Sequence, residues 1–208
     1  MSVSSLITQL RDAAGCDVSR ETLDRLSAYE VLLRDEAERQ NLISRSTLNN
    51  LWGRHILDSA QLLRCAPSEA RWCDIGSGAG LPGIVIACLA VGSLVTLIEP
   101  RRLRAEFLHR VVAQLSLNAE VIATKVERAA GKFDVITCRA VARLPVLLEI
   151  SSHLSTRNTI WALPKGRNAL GELAEAKKSW QGVFHVEPSV TDADSGIVVG
   201  TGVRAKAR

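Results

Sequence analysis

Between Trp72 and Gly83 the chain reads W-C-D-I-G-S-G-A-G-L-P-G, with Gly76, Gly78 and Gly80 at alternate positions and an acid at Asp74. Glycine spaced in this way leaves the backbone bare, so a ligand can approach main-chain N–H groups that side chains would otherwise shield. A dinucleotide fingerprint, G-x-G-x-x-G, would need glycine at position 81, where the chain has Leu81. A phosphate loop is excluded as well, because no Gly-Lys-Ser/Thr follows. Glu99 lies 23 residues beyond Gly76, at the end of an apolar run. A nucleotide-binding α/β fold presents an acid there that accepts hydrogen bonds from both ribose hydroxyls. The same acid, just ahead of Pro100, would also suit the positive end of a following helix.

Arg139 follows the β-rich run 133–138 and so stands at the carboxyl end of a strand, where ligands of open α/β sheets bind. It could meet a ligand carboxylate, meet a polyanion, or form an ion pair tying the sheet to the next helix. Arg101, Arg102, Arg143, Lys165 and Arg167 fall at or just beyond other strand ends and could neutralise phosphates or simply be solvated. His55 and Asp58 are three apart and can share a helix face. With no second His or Cys near it, His55 reads as a buried or capping residue that links the helical part to the glycine loop, not as a metal ligand or base. His109, His153 and His185 have no companions either, and no metal site is expected. The five cysteines are scattered and never spaced C-x-x-C, so they read as reduced thiols, with Cys138 a packing residue.

The elements that must position these residues follow from periodicity. From Val3 to Leu63 apolar residues recur every three or four positions, giving helices with Leu6, Ile7 and Leu10 on one face, then Leu23, Leu26, Tyr29 and Leu33, then Leu51, Trp52, His55, Ile56 and Ser59. After Ala70, short β-rich runs alternate with helical ones, the mark of a parallel α/β sheet. The strand candidates are 71–75, 93–99, 119–125, 133–138, 158–164, 183–187 and 197–201. Pro100 opens the clearest helix, whose stripe is Leu103, Phe107, Leu108, Val111, Val112 and Leu115. The turn-rich stretch 188–196 holds no helix, which makes the last two strands an antiparallel edge hairpin. Two parts are expected: a helical extension over 1–70 packed on a core domain over 71–208.

Of 208 residues 47% are apolar and 23% charged, the balance of a soluble globular chain. No apolar run reaches the ~18 residues of a membrane span, and the N-terminus lacks a signal-peptide pattern, so a cytoplasmic protein with no membrane partner is expected. Residues 1–70 carry 8 Lys/Arg against 10 Asp/Glu and residues 71–208 carry 18 against 12. The basic surplus of the larger part, with a short basic tail at Arg204, Lys206 and Arg208, suits a polyanionic partner.

G-x-G-x-G after a strand, preceded by an acid, is the pattern methyltransferases use for S-adenosylmethionine, which has no pyrophosphate to seat on a helix end. The chain further resembles a known family, the bacterial 16S ribosomal RNA guanine-N7 methyltransferases, also called glucose-inhibited division protein B. The likeness covers roughly residues 25–170: the R-H-I-L-D-S helix (54–59), the glycine loop (74–83), L-I-E-P-R-R (97–102), F-D-V-I-T-C-R-A-V-A (133–142) and L-P-K-G (163–166). It implies a Rossmann-like class I methyltransferase fold with a seven-stranded, mostly parallel sheet. It also implies a cofactor pocket made by Gly76, Gly78 and Leu81, Glu99 at the ribose, Val126 and Glu127 beside the adenine, and Arg139. The chain departs from the family in lacking a Trp-Asn pair before Asn41-Leu42 and in having Glu127-Arg128 where two acids are usual.

The implied substrate is a guanine in the decoding-region loop of 16S rRNA, met as RNA or as a 30S subunit by a monomeric enzyme. Arg101, Arg143 and Lys165 are the RNA-contact candidates. Guanine N7 carries a lone pair and no proton, so no catalytic general base is expected; holding the reacting atoms in line suffices. The alternative is a methyltransferase for a small molecule or protein, against which the basic surplus and short chain weigh. A non-catalytic nucleotide-binding module would need a degenerate pocket, and this one is intact.

Overall fold

The computed structural model describes residues 2–44 and 48–207. Helix α1 (Val3–Ala14) is opened by the Ser2 hydroxyl, which accepts the Ser5 N–H, and closed by left-handed Gly15. Helix α2 (Arg20–Ala37) is capped in the same way by Ser19. The third helical segment, α3, is composite: π-helical over Trp52–Leu57, α-helical over Asp58–Ala60, and a 3-10 turn over Gln61–Cys65. The apolar spacing leads to a plain helix here. A π-helix inserts one residue per turn, a feature that recurs at functional sites, and it removes the ideal i, i+3 relation expected between His55 and Asp58.

The core is a seven-stranded sheet of β1 (Arg71–Ile75), β2 (Leu94–Ile98), β3 (Ala119–Ile122), β4 (Val135–Cys138), β5 (Ile160–Lys165), β6 (Trp180–Pro188) and β7 (Gly196–Ala205). Its order is β3-β2-β1-β4-β5-β7-β6. The first five strands are parallel, and the hairpin β6–β7 adds antiparallel through β7. The edge hairpin is thus as expected, though longer than its two apolar runs, because backbone pairing continues past the residues that need burial. The third strand stops at Ile122, since the Thr124 N–H turns back to the Ile122 carbonyl.

Helices α4 (Gly83–Leu89), α5 (Arg102–Gln114), α6 (Leu144–Ser151) and α7 (Ala169–Ser179) cover the faces. Helix α5 begins after Arg101, its N-cap residue, not at Pro100, and Leu103 is exposed, outside the buried stripe. Strand alternation splits the core into two apolar clusters. Trp72, Val95 and Val135 face one that also holds Leu10, Leu26, Leu33 and Ile56, so the helical extension shares a core with the sheet. Cys73, Ile136 and Cys138 face the other, under α6 and α7. Of the basic tail, Arg208 lies outside the described residues.

Candidate active site

The glycine loop leaves the carboxyl end of β1 and is stitched to its neighbour: the N–H groups of Gly76 and Ser77 donate to the Ile98 carbonyl at 2.8 and 3.1 Å. Buried Tyr29 donates its hydroxyl to the Ala79 carbonyl at 2.8 Å, so the extension holds the loop from outside. The glycines serve different ends. A side chain on Gly76 would start 2.3 Å from a Val141 methyl, and one on Gly80 2.5 Å from Ile84. Gly78, at φ +55, would meet nothing nearer than the Arg104 guanidinium at 3.6 Å. Gly78 alone of these three therefore opens onto empty space where a ligand can lie against backbone.

One buried acid, Glu99, faces that space, and a second, Asp74, is bonded to the end of the loop. Glu99 is 3% exposed, and its carboxylate accepts the Gly78 and Arg101 N–H groups, each at 2.8 Å. It holds the loop open and keeps lone pairs free for further donors. Asp74 accepts the Gly83 N–H at 3.0 Å through Oδ2, while Oδ1 is buried with no hydrogen-bond partner. Burial pushes the Asp74 carboxyl up to about 6; the Gly83 N–H, the nearby Ser77 hydroxyl and the Arg139 charge oppose this, and Glu99 adds to it. A buried carboxylate oxygen with an unmet lone pair suits a cationic group.

Gly76, Gly78, Leu81, Glu99, Val126, Glu127 and Arg139 all line one cleft of about 510 Å³, so tertiary structure brings together every residue assigned to a cofactor. Val126 and Glu127 reach it from the 3-10 turn Val126–Arg128. Sequence reasoning missed Leu42, Ile43, Arg104 and Lys125 on the same walls. Leu42 and Ile43 arrive from the far end of the extension, held where Arg104 donates to the Asn41 carbonyl at 3.1 Å, and no motif marks them.

A second cleft of about 440 Å³ adjoins the first and shares Arg139, Ala140 and Val141 with it. At that seam Ala140 is left-handed, φ +58, a conformation non-glycine residues adopt at a cost and which clusters at functional sites. Arg139 pairs with Asp58 of α3 at 3.5 Å, so its ion pair reaches back to the extension and not forward to the next helix.

The RNA-contact candidates fare differently. Lys165 lines the second cleft with its side chain 9% exposed, Nζ held by Glu172 at 3.0 Å and by the Ala142 carbonyl at 3.1 Å. Arg101 is exposed at the first cleft and Arg143 at the second. Arg102 and Arg167 are exposed but paired with Glu106 and Asp194. His55 has both ring nitrogens buried; burial first, then Arg139 and Arg54, pull its pKa down to about 4. It is therefore neutral near pH 7. Cys138 is buried, and burial pushes its thiol up to about 12, in keeping with a packing role. Among the described residues no group of three or more His, Cys, Asp or Glu could hold a metal ion, and no helix is long and apolar enough to cross a membrane.

Solved structures share this architecture at low identity. A TehB-like SAM-dependent methyltransferase from Corynebacterium glutamicum superposes with TM-score 0.57 at 16% identity, over 82% of this chain and 97% of its own. M. jannaschii TYW2 in complex with AdoMet gives 0.55 at 13%, over 79% and 78%. Sequence relatives are nearer. The ribosomal RNA small subunit methyltransferase G of Zymomonas mobilis is 44% identical over 199 residues, spanning 91% of this chain and 90% of that protein. The protein of the same name from Sphingopyxis alaskensis is 47% identical over 188 residues, spanning 88% and 80%. Residues 22–196 match the GidB family, rRNA small subunit methyltransferase G. With this fold, this glycine-lined cleft and these relatives, the chain belongs to the rRNA small subunit methyltransferase G family.

Proposed function

We propose that this enzyme of the rRNA methyltransferase family transfers a methyl group from S-adenosylmethionine to N7 of a guanine in the decoding-region loop of 16S rRNA. The observation that carries the reading is the pair of clefts joined at Ala140 and Val141. One has the bare backbone, a buried acid and apolar walls that suit the cofactor; the other opens on the same seam and can receive a base. The cofactor fit rests on orphaned Asp74 Oδ1, on the open space at Gly78 and on the spare lone pairs of Glu99. Asp74 would take the cationic amino acid end, Glu99 the ribose, and Leu81, Val126 and Glu127 the adenine.

Bound S-adenosylmethionine supplies a methyl group activated by a sulfonium. The chain's task is to aim it. The N7 lone pair forms the new N–C bond as the methyl group leaves sulfur with the S–C electron pair, no proton moves, and the positive charge passes to the guanine. No proton has to pass to the carboxylates of the second cleft, Asp58 beside Arg139 and Glu172 beside Lys165, so the reaction needs orientation and no base. Arg101 and Arg143, exposed at the mouths of the clefts, would meet RNA phosphates.

The test is incubation of tritiated cofactor with 30S subunits from a strain lacking the gene, with naked 16S rRNA, and with protein and small-molecule extracts. Label should enter 16S rRNA, and borohydride followed by aniline should then break the strand at one guanine. Label in protein or small molecules only would overturn the RNA reading. Label in RNA with no break would overturn N7.

A further inference from the structure

The second cleft holds a carboxylate whose two oxygens are unequally used. Asp58 Oδ1 accepts from the Gln61 amide at 2.8 Å and from the Thr191 hydroxyl at 2.9 Å, while Oδ2 has only the long 3.5 Å contact to Arg139. Gln61 is 2% exposed and is fixed in turn by Ser189 at 3.1 Å and by the Val190 N–H, which donates to its Oε1 at 2.8 Å. Asp58 is therefore clamped between α3 and the β6–β7 turn, with its aim set through one oxygen and the other left over to the cleft. The cleft's remaining acid, Glu172, is tied to the cleft wall through Oε2, which accepts both the Leu144 N–H at 2.8 Å and Lys165 at 3.0 Å.

We propose that the second cleft is the acceptor-base pocket and that Asp58 Oδ2 determines specificity there by accepting from the N1–H and exocyclic N2–H of the guanine. The inference rests on the guanine-N7 reading above. An ionised carboxylate is acceptor-only, and the Watson–Crick edge of guanine offers two adjacent donors where adenine offers an unprotonated N1. That edge lies across the base from N7. A guanine with N7 at the Ala140–Val141 seam would thus turn its donors away from the first cleft, toward the part of the pocket that Asp58, which lines only the second cleft, provides. Enzymes acting on an extruded base read this edge by hydrogen bonds. The charge also fits. Methylation leaves the guanine cationic beside Arg139, and the Asp58 carboxylate offsets one of these two charges.

The experiment uses 30S subunits reconstituted with 16S rRNA carrying either guanosine or inosine at the target position, since inosine keeps N7 and N1–H and lacks only the amino group. Parent enzyme and Asp58→Asn are assayed for kcat/KM on both at saturating cofactor, with a cooperative thermal transition as the check on folding. The parent should lose roughly ten-fold on inosine, the order expected for one base-edge contact. Asp58→Asn should lose at least that on guanosine and show little further loss on inosine, because the contact is already gone. Equal parent rates on the two RNAs, or penalties that multiply independently, would overturn the assignment. Should the variant fail to fold, the parent's inosine ratio decides alone. Absence of methylation on the guanosine subunits themselves would instead overturn the underlying reading of function.

Discussion

Cofactor affinity should fall as pH drops through 6, because Asp74 must be ionised to receive a cationic ligand group. In the free protein its carboxyl is pushed from the ordinary 3.8 up to about 6, chiefly by complete burial. That displacement corresponds to ~3 kcal/mol weighing against the ionised form. The sign follows directly: between pH 4 and 6 the folded state binds more protons than the unfolded one at this group. Asp74 thus makes the free protein less stable as pH rises through that window, and a bound cation offsets the cost. If only ionised Asp74 binds, the apparent dissociation constant scales as 1 + 10^(6 − pH), roughly ten-fold weaker binding at pH 5 than at pH 7.

Four nearby groups stay silent over that range. Burial pushes Tyr29, Cys73 and Cys138 upward, so all three stay protonated, and His55, pulled to about 4, stays neutral. The ligand's own α-ammonium titrates near about 7.7 and is charged throughout. Calorimetric titration at pH 5, 6 and 7 on the parent and on Asp74→Asn gives the answer. The parent should show the slope and the variant should be flat and weaker at pH 7. A parent affinity independent of pH, or an equal slope in the variant, would refute the role given to Asp74.

Gly78→Ala should weaken cofactor binding while costing about 1–2 kcal/mol of stability for its left-handed backbone; Gly80→Ala, with a methyl 2.5 Å from Ile84, should lower the melting temperature more and perturb the ligand less. The reverse ranking by calorimetry and thermal denaturation would exchange their roles. Glu99→Gln should weaken the cofactor by on the order of 1.5–3 kcal/mol through lost charge-assisted hydrogen bonds, and an unchanged dissociation constant would leave Glu99 only its bonds to the Gly78 and Arg101 amides. Arg143→Ala should reduce the slope of log affinity for RNA against log salt by about 1 while sparing the cofactor; an unaltered slope removes Arg143 from the phosphate contacts. Lys165→Met should destabilise the fold by stranding Glu172 and leave that slope alone, so a reduced slope with unchanged melting would make Lys165 an RNA contact.

Much of the site was legible before any coordinates because its information is local. The alternation of short β-rich runs with helical ones dictates a parallel sheet. A parallel sheet places strand ends on one edge, and Gly76, Glu99, Val126 and Arg139 each follow a strand closely enough to be carried there. The turn-rich stretch before β7 likewise forces the antiparallel edge. Only tertiary structure decided which charged groups are free. Lys165 and Arg143 look alike in the sequence, yet one is buried against Glu172 and the other faces solvent. Arg139 finds its partner in Asp58, 81 residues upstream, and Gln61 finds Val190, 129 residues on. The π-helix at Trp52–Leu57 escaped for a related reason: its apolar spacing fits an ordinary helix, and the hydrogen-bond shift leaves no mark in that spacing. Periodicity records which face of an element is buried. The pairing of side chains across the fold depends on how those elements are then set against one another, and no residue's neighbours in sequence carry that distance.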